Sequence, residues 1–183
     1  LHFHAMPFTS EMALDKVRQL VHRLTYYTDW LYFYHINLSE AQITIREHCD
    51  ERYYTILQRR LMTRLATKLA DQKHALSLTT GENLAQVASQ TMEGIVCTND
   101  ATHLPVFRPL ISFDKDDIVR RAKQIETFET SILPYEDCCT IFLPSKVATR
   151  PKLADVLAEE AKLDMDALVE QTWKTIVREK IEA

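Results

Sequence analysis

Two adjacent thiols are the first candidates for chemistry. Cys138 and Cys139 lie in the run Pro134-Tyr135-Glu136-Asp137-Cys138-Cys139-Thr140-Ile141-Phe142. Zinc sites use spaced pairs such as C-x-x-C, so neighbouring cysteines are a poor metal signal. A disulfide between chain neighbours closes a strained small ring, which argues against a structural bridge. What remains is a nucleophilic or sulfur-carrying thiol, set against the plainer reading of a buried cysteine and its neighbour. Glu136 and Asp137 complicate the first, because nearby carboxylates raise a thiol pKa and disfavour the thiolate. A cation must offset them, and Lys115, Arg150 or a bound metal could. Cys49 and Cys97 read as small core residues.

Three further groups could hold a ligand. Thr79-Thr80-Gly81-Glu82-Asn83-Leu84 reads as a strand end followed by a glycine turn, and Leu84 to Met92 as a helix. Gly81 allows close backbone approach, and a helix start there offers N–H groups to an anion. Ser89 and Gln90 lie further along and can donate or accept hydrogen bonds. The alternative is a connection in which Gly81 only makes the turn. His2 and Phe3 end a strand, where a ring could sandwich a purine, or the two histidines His2 and His4 could lie on a surface edge. Arg59 and Arg60 sit mid-helix; one could grip a phosphate with its planar fork, although such a pair usually marks a solvated face.

The elements that must position these groups alternate. Leu1 to Ala5 reads as a strand, and Thr9 or Ser10 can cap a helix that carries Ala13, Val17, Leu20, Val21 and Leu24 at helical spacing. Trp30 to Ile36 reads as an aromatic-rich strand and Ser39 to Cys49 as a helix. Tyr53 to Gln72 is the clearest helix, with Leu57, Leu61, Leu65 and Leu69 on one stripe. Ala75 to Thr79 and Val106 to Leu110 read as short strands, and Asp114 can cap a helix reaching about Ile125. That alternation argues for an α/β domain with a parallel sheet flanked by helices, whose ligands bind outside the carboxyl ends of the strands. Thr127 to Pro151 loses periodicity. Two helices near Pro151 and Asp164 are expected to close the chain, the second carrying Leu168, Val169, Trp173, Ile176 and Val177.

Composition limits the partners. The chain has 183 residues, 46% hydrophobic, with a formal net charge of -4. That suffices for a core, and it excludes a global basic field for nucleic acid. No apolar run approaches the ~20 residues that span a membrane. Four cysteines are too few for a disulfide scaffold, so a reducing cytoplasm is the expected compartment. The only glycines are Gly81 and Gly94, so neither G-x-x-x-x-G-K-[ST] nor G-x-G-x-x-G occurs. The histidines show no metal-ligand spacing.

Several blocks agree in order and spacing with one family. Gly81-Glu82-Asn83-Leu84-Ala85-Gln86-Val87-Ala88-Ser89-Gln90-Thr91 resembles its G-E-S-L-G-Q-V-A-S-Q-T motif, with Asn83 in place of a serine and Ala85 in place of a glycine. Phe3-His4, Pro7-Phe8-Thr9-Ser10-Glu11, Arg59-Arg60, Arg108-Pro109-Leu110-Ile111, Asp114-Lys115 and Ile132 to Phe142 are similar to further blocks. The family is the tRNA 4-thiouridine synthetases, the ThiI-type tRNA sulfurtransferases, and the likeness is to their ATP-pyrophosphatase (PP-loop) domain. It covers nearly all of residues 1–150 and continues weakly to 183.

The resemblance implies an adenine nucleotide alpha-hydrolase-like α/β fold: one partial domain over 1–183, with its core at 1–150 and a helical tail at 151–183. It implies a cytoplasmic transferase that adenylates a tRNA uridine with ATP and Mg2+. Sulfur donated by a cysteine desulfurase then gives 4-thiouridine, with a further link to thiamine thiazole synthesis. His2, Phe3, Arg59, Gly81 and Gln90 match ATP-contacting positions. Cys138 best matches the sulfur-handling cysteine, with Cys139 the alternative. The family's S-G-G-x-D-S loop does not occur in these residues, nor do its RNA-binding modules or a rhodanese-like tail. The chain is therefore expected to begin after the first strand of its domain and to be inactive alone. An edge left open by that strand would favour a homo-oligomer or a rearranged sheet. The competing expectation is a non-catalytic nucleotide-binding remnant or interaction module.

Overall fold

The computed structural model describes residues 1–84, 90–138, 141–142, 144 and 146–183. In chain order its elements are β1 (His2–His4), α1 (Glu11–Thr25), β2 (Trp30–Asn37), α2 (Ser39–His48), α3 (Tyr54–Gln72), β3 (Leu78–Thr79), α4 (Met92–Asn99), β4 (Val106–Phe107), α5 (Lys115–Gln124), α6 (Phe128–Ser131), α7 (Leu153–Glu160), α8 (Met165–Trp173) and β5 (Val177–Glu182). The chain divides into two compact units. The first comprises Leu1–Glu40, Asp114–Ile141 and Thr172–Ala183; the second comprises Ala41–Phe113 and Phe142–Gln171.

In the first unit the sheet order is β1-β2-β5. β1 runs parallel to β2 with His2 opposite His35, while β5 runs antiparallel with Glu179 opposite Phe33. The sheet is thus mixed rather than wholly parallel. The expected helical tail over 151–183 also needs correcting, because helix α8 stops at Trp173 and Val177 opens a strand. The reason is the period-two pattern after Ile176. Arg178 and Lys180 are exposed and lie over the rings of Tyr32 and Trp30, at 5.1 and 5.5 Å from their centroids. Glu179 and Ile181 turn to the opposite face, as strand geometry requires. Helix α1 packs on β2 and β5. Its start is set by Ser10, whose hydroxyl accepts from the Ala13 amide at 3.2 Å. Asp114 caps α5 in the same way, accepting from the Asp117 amide at 2.8 Å.

In the second unit α3 is the centre of the core, packed on α4 and α7. Ile56, Leu57, Leu61 and Leu65 are fully buried, while Leu69 is half-buried. β3 and β4 form a short parallel pair with Leu78 opposite Val106. The expected helix from Leu84 to Met92 falls mostly on residues outside the described ones. Residues 85–89 lie outside the described ones, Gln90 and Thr91 are not helical, and α4 begins at Met92. Thr91 supplies the cap, accepting from the Gly94 amide at 3.1 Å. Cys97 is buried, as a core residue should be, and Cys49 is half-buried with its thiol pushed up to about 11 by desolvation and then Glu159. Both are poor nucleophiles at neutral pH. Among the described residues no helix is long and apolar enough to cross a membrane.

Candidate functional site

Each unit gathers part of the candidate residues. In the first, His2 and Phe3 lie on β1 and the chain turns immediately after it. The Ala5 carbonyl accepts from the Phe8 and Thr9 amides at 2.7 and 3.1 Å, and the Thr9 hydroxyl accepts from the Ala5 amide at 3.1 Å. The turn feeds Ser10 and thus the start of α1. Burial first, then the neighbouring His4, holds the His2 imidazolium back to a pKa of about 4. His2 is therefore a neutral ring at physiological pH, suited to stacking and hydrogen bonding rather than to charge pairing.

Cys138 lies in the same unit and is buried. Its loop is fastened to α1. The Ser10 hydroxyl donates to Glu136 Oε2 at 3.1 Å, and the Lys16 ammonium donates to the carbonyls of Leu133 and Tyr135 at 3.3 and 3.5 Å. Lys16 is 8% exposed, so α1 delivers a buried cation to the acidic stretch before the thiol. Lys16 is the cation that sequence reasoning missed when it nominated Lys115 and Arg150. The missed signal was its position two turns into a helix that Ser10 caps. Cys139 lies outside the described residues.

In the second unit the carboxyl ends of β3 and β4 carry a charge cluster. Glu82 accepts from Arg59 Nη2, from Arg108 Nε at 2.7 Å and from the Thr80 hydroxyl at 3.0 Å. Its side chain is 8% exposed, and those of Arg59 and Arg108 are 17% and 13% exposed. Burial works against the carboxylate, but the two guanidiniums outweigh it and hold Glu82 below the usual carboxylate range. Two cations on one anion leave a local charge of +1, in a chain whose net charge is negative. Asn83 fixes the turn: its amide nitrogen donates to the carbonyls of Leu110, at 2.7 Å, and Phe113. A Cβ added to Gly81 would meet nothing within 4 Å, so the turn itself does not require glycine. Gln90 is half-buried immediately before the α4 cap.

The arginine pair divides in an unexpected way. Arg59 pairs with Glu82 beside the turn, whereas Arg60 is fully buried and structural. Arg60 binds Glu160 Oε2 at 2.5 Å and Oε1 at 3.2 Å, Asp100 at 3.1 Å, and the Cys97 carbonyl. The solvated-face reading therefore fails for both. Arg108 and Glu82 were not singled out from sequence, although both lie in the blocks that carry the family likeness.

The model of a family described as Thiamine biosynthesis protein (ThiI) matches residues 1–165. The chain belongs to the ThiI family. It is 50% identical over 169 residues to a probable tRNA sulfurtransferase of Clostridium perfringens, covering 92% of this chain and 44% of the relative. It is 48% identical over 181 residues to that of Alkaliphilus oremlandii, covering 99% and 46%. A solved structure, described as a 4-thiouridine synthetase–RNA complex with bound ATP, superposes with a TM-score of 0.93 at 38% identity. That match covers 98% of this chain and 47% of the solved one. The α/β, PP-loop-like fold thus agrees with the family, and the chain spans about half the length of the ThiI relatives it matches.

Proposed function

We propose that this chain forms the nucleotide-using part of a ThiI-family tRNA sulfurtransferase. In this reading the residues hold ATP while a tRNA uridine oxygen is adenylated, and sulfur then replaces the activated oxygen to give 4-thiouridine. A cysteine desulfurase supplies the sulfur, the setting is cytoplasmic, and the same sulfur feeds thiamine thiazole synthesis. His2 and Phe3 present rings to the purine. Gly81 gives close backbone approach, Arg59 with Arg108 supplies the anion-facing charge, and Gln90 supplies an amide. The observation that carries the reading is the Arg59–Glu82–Arg108 cluster at the carboxyl ends of a parallel strand pair, beside a glycine whose Cβ position faces open space. A charge centre already oriented by Glu82 stabilises developing phosphate charge without reorganising during the reaction.

Among the described residues no group of three or more His, Cys, Asp or Glu side chains could cage a metal. A Mg2+ would arrive on the nucleotide phosphates. The family's S-G-G-x-D-S motif does not occur in these residues, so the reading rests on the contacts named above. Cys138 is the sulfur-handling group in this reading, with Cys139 the alternative. Lys16 anchors the loop and brings positive charge near the acidic residues that would otherwise suppress a thiolate.

The second reading, a nucleotide-binding remnant without sulfur chemistry, needs the Arg59–Glu82–Arg108 cluster but not Cys138. Cys138→Ser in the natural protein separates the two. ATP affinity retained with 4-thiouridine formation lost supports the sulfurtransferase; full thiolation by both Cys138→Ser and the Cys138→Ser/Cys139→Ser double variant would remove the thiol role.

A further inference from the structure

The first unit contains a chain of polar contacts that the proposed chemistry leaves unused. Arg18 of α1 grips Glu179 of β5, with Nε 3.2 Å from both carboxylate oxygens and Nη2 3.0 Å from Oε1. Arg18 also reaches Glu11 at 2.9 Å and Asp15 at 2.6 Å. The same Oε1 of Glu179 lies 3.1 Å from His35 Nε2. His35 Nδ1 lies 3.2 Å from His4 Nε2, and His4 Nδ1 accepts from the Met6 amide at 3.5 Å. The two imidazoles are 5% and 6% exposed. The chain therefore runs from the last strand, across β2 and β1, to the backbone of the turn after β1.

Its direction follows from its charged end. Arg18 holds Glu179 ionised, below the usual carboxylate range, so the carboxylate accepts and His35 Nε2 must carry a hydrogen. A neutral His35 then presents a bare Nδ1, which accepts from His4 Nε2–H. His4 in turn presents a bare Nδ1 to the Met6 N–H. With both rings neutral, every donor meets an acceptor in this one arrangement. A proton added to His35 at Nδ1 would turn His4 Nε2 into an acceptor. His4 would then move its own hydrogen to Nδ1, facing the Met6 N–H donor to donor. Burial first, then His35, keeps His4 neutral down to about pH 4, with Glu11 and Arg18 also facing it. His2, at the outer end of the same strand, faces His4, His35, the Leu1 amino group and Lys16.

A second route reaches the same turn. The Asn37 side-chain amide donates to the Met6 carbonyl at 2.9 Å, and the Asn37 backbone amide donates to the Thr175 hydroxyl at 3.0 Å. Both backbone groups of Met6 are thus set by residues tied to the segment 175–179. We infer that Arg18, Glu179, His35 and His4 form a one-way hydrogen-bond relay through which β5 positions the β1 turn, making Glu179 and His35 positioning residues for the nucleotide site. The inference rests on the proposal that His2 and Phe3 of β1 contact the nucleotide.

The test has two arms, both in the natural protein. Nitrogen-15 spectra of the imidazoles at neutral pH should show His4 and His35 neutral and protonated at Nε2. A hydrogen on Nδ1 of either ring overturns the relay. In turnover, Glu179→Ala should raise the KM for ATP about tenfold while kcat stays within about twofold, the effect of one lost charge-assisted hydrogen bond. Glu179→Gln keeps a carbonyl oxygen where Oε1 serves both Arg18 and His35, and should restore KM to within about threefold. Equal losses from Ala and Gln, or a KM unmoved by Ala, overturn the positioning role. A wild-type protein with no ATP turnover would instead sink the functional reading, and the spectra would still decide the relay.

Discussion

The two units bury polarity by opposite means. In the β1-β2-β5 unit, two buried imidazoles are linked to each other through ring nitrogens, in a chain that ends on a backbone amide. In the β3-β4 unit, full charges are buried and paired, Arg60 with Glu160 in the core and Arg59 with Glu82 at the turn. A hydrogen-bond relay fixes geometry without attracting ions. A cluster with surplus positive charge attracts an anion without needing a basic chain. This difference explains how a protein of net charge -4 can still be suited to a polyphosphate ligand.

The contrast predicts different weak points. The largest effect belongs to Arg60→Ala. It leaves Glu160, whose side chain is 9% exposed, with Arg64 as its remaining partner and opens a gap beside α3. A loss of about 3–5 kcal/mol in urea unfolding is expected, because breaking a buried pair strands the remaining charge. A loss below about 1 kcal/mol would show that the network is not what holds α3, α4 and α7 together.

Acid separates the two units next. His4 titrates near 4 in the folded state, below the 6.5 of an ordinary histidine. Between those values the unfolded chain binds the proton and the folded chain does not, so stability falls as pH drops from 6.5 towards 4. Glu82 and Glu160 are shifted the other way, below the ordinary 4.5. Their contribution is complete above that value and is lost only as pH falls through their lower folded pKa. Hydrogen exchange followed from pH 7 to 4 should therefore show β1 and β2 amides losing protection before those of α3. Simultaneous loss would break the contrast.

Smaller effects sharpen it. Ser10→Ala removes the α1 cap and the contact with Glu136, and should lower stability by about 1 kcal/mol while loosening the Cys138 loop. The check is faster alkylation of Cys138 relative to Cys97. Gly81→Ala should change folding stability by less than about 1 kcal/mol, since its Cβ meets nothing and its φ is not positive. It should nonetheless weaken ATP binding, because the methyl group occupies the approach that a nucleotide needs. Unchanged ATP affinity would mean that Gly81 only makes the turn.

Local patterns made much of this visible in the sequence. The Leu57-Leu61-Leu65 stripe, the Ser10 and Asp114 caps and the aromatic strand from Trp30 all lie where residue types and spacing put them. The family blocks singled out Arg59, Gly81 and Gln90, which lie in one unit, and His2, Phe3 and Cys138, which lie in the other. What stayed hidden depends on residues far apart in sequence. Arg60 is buried because Glu160, 100 residues later, meets it. Arg59 is occupied because Glu82 lies across from it. Val177 begins a strand because exposed rings on β2 receive Arg178 and Lys180. Helix α4 begins at Met92 because the Thr91 hydroxyl caps it, a start that the sequence reading did not single out.

The central claim is that the Arg59–Glu82–Arg108 cluster receives the nucleotide. It is tested most directly by calorimetric titration of ATP into the natural protein and its Arg59→Ala variant. The account predicts that the variant folds normally and binds ATP about 10- to 100-fold more weakly, the loss of one charge-assisted contact. Equal ATP affinity in the two proteins would contradict it.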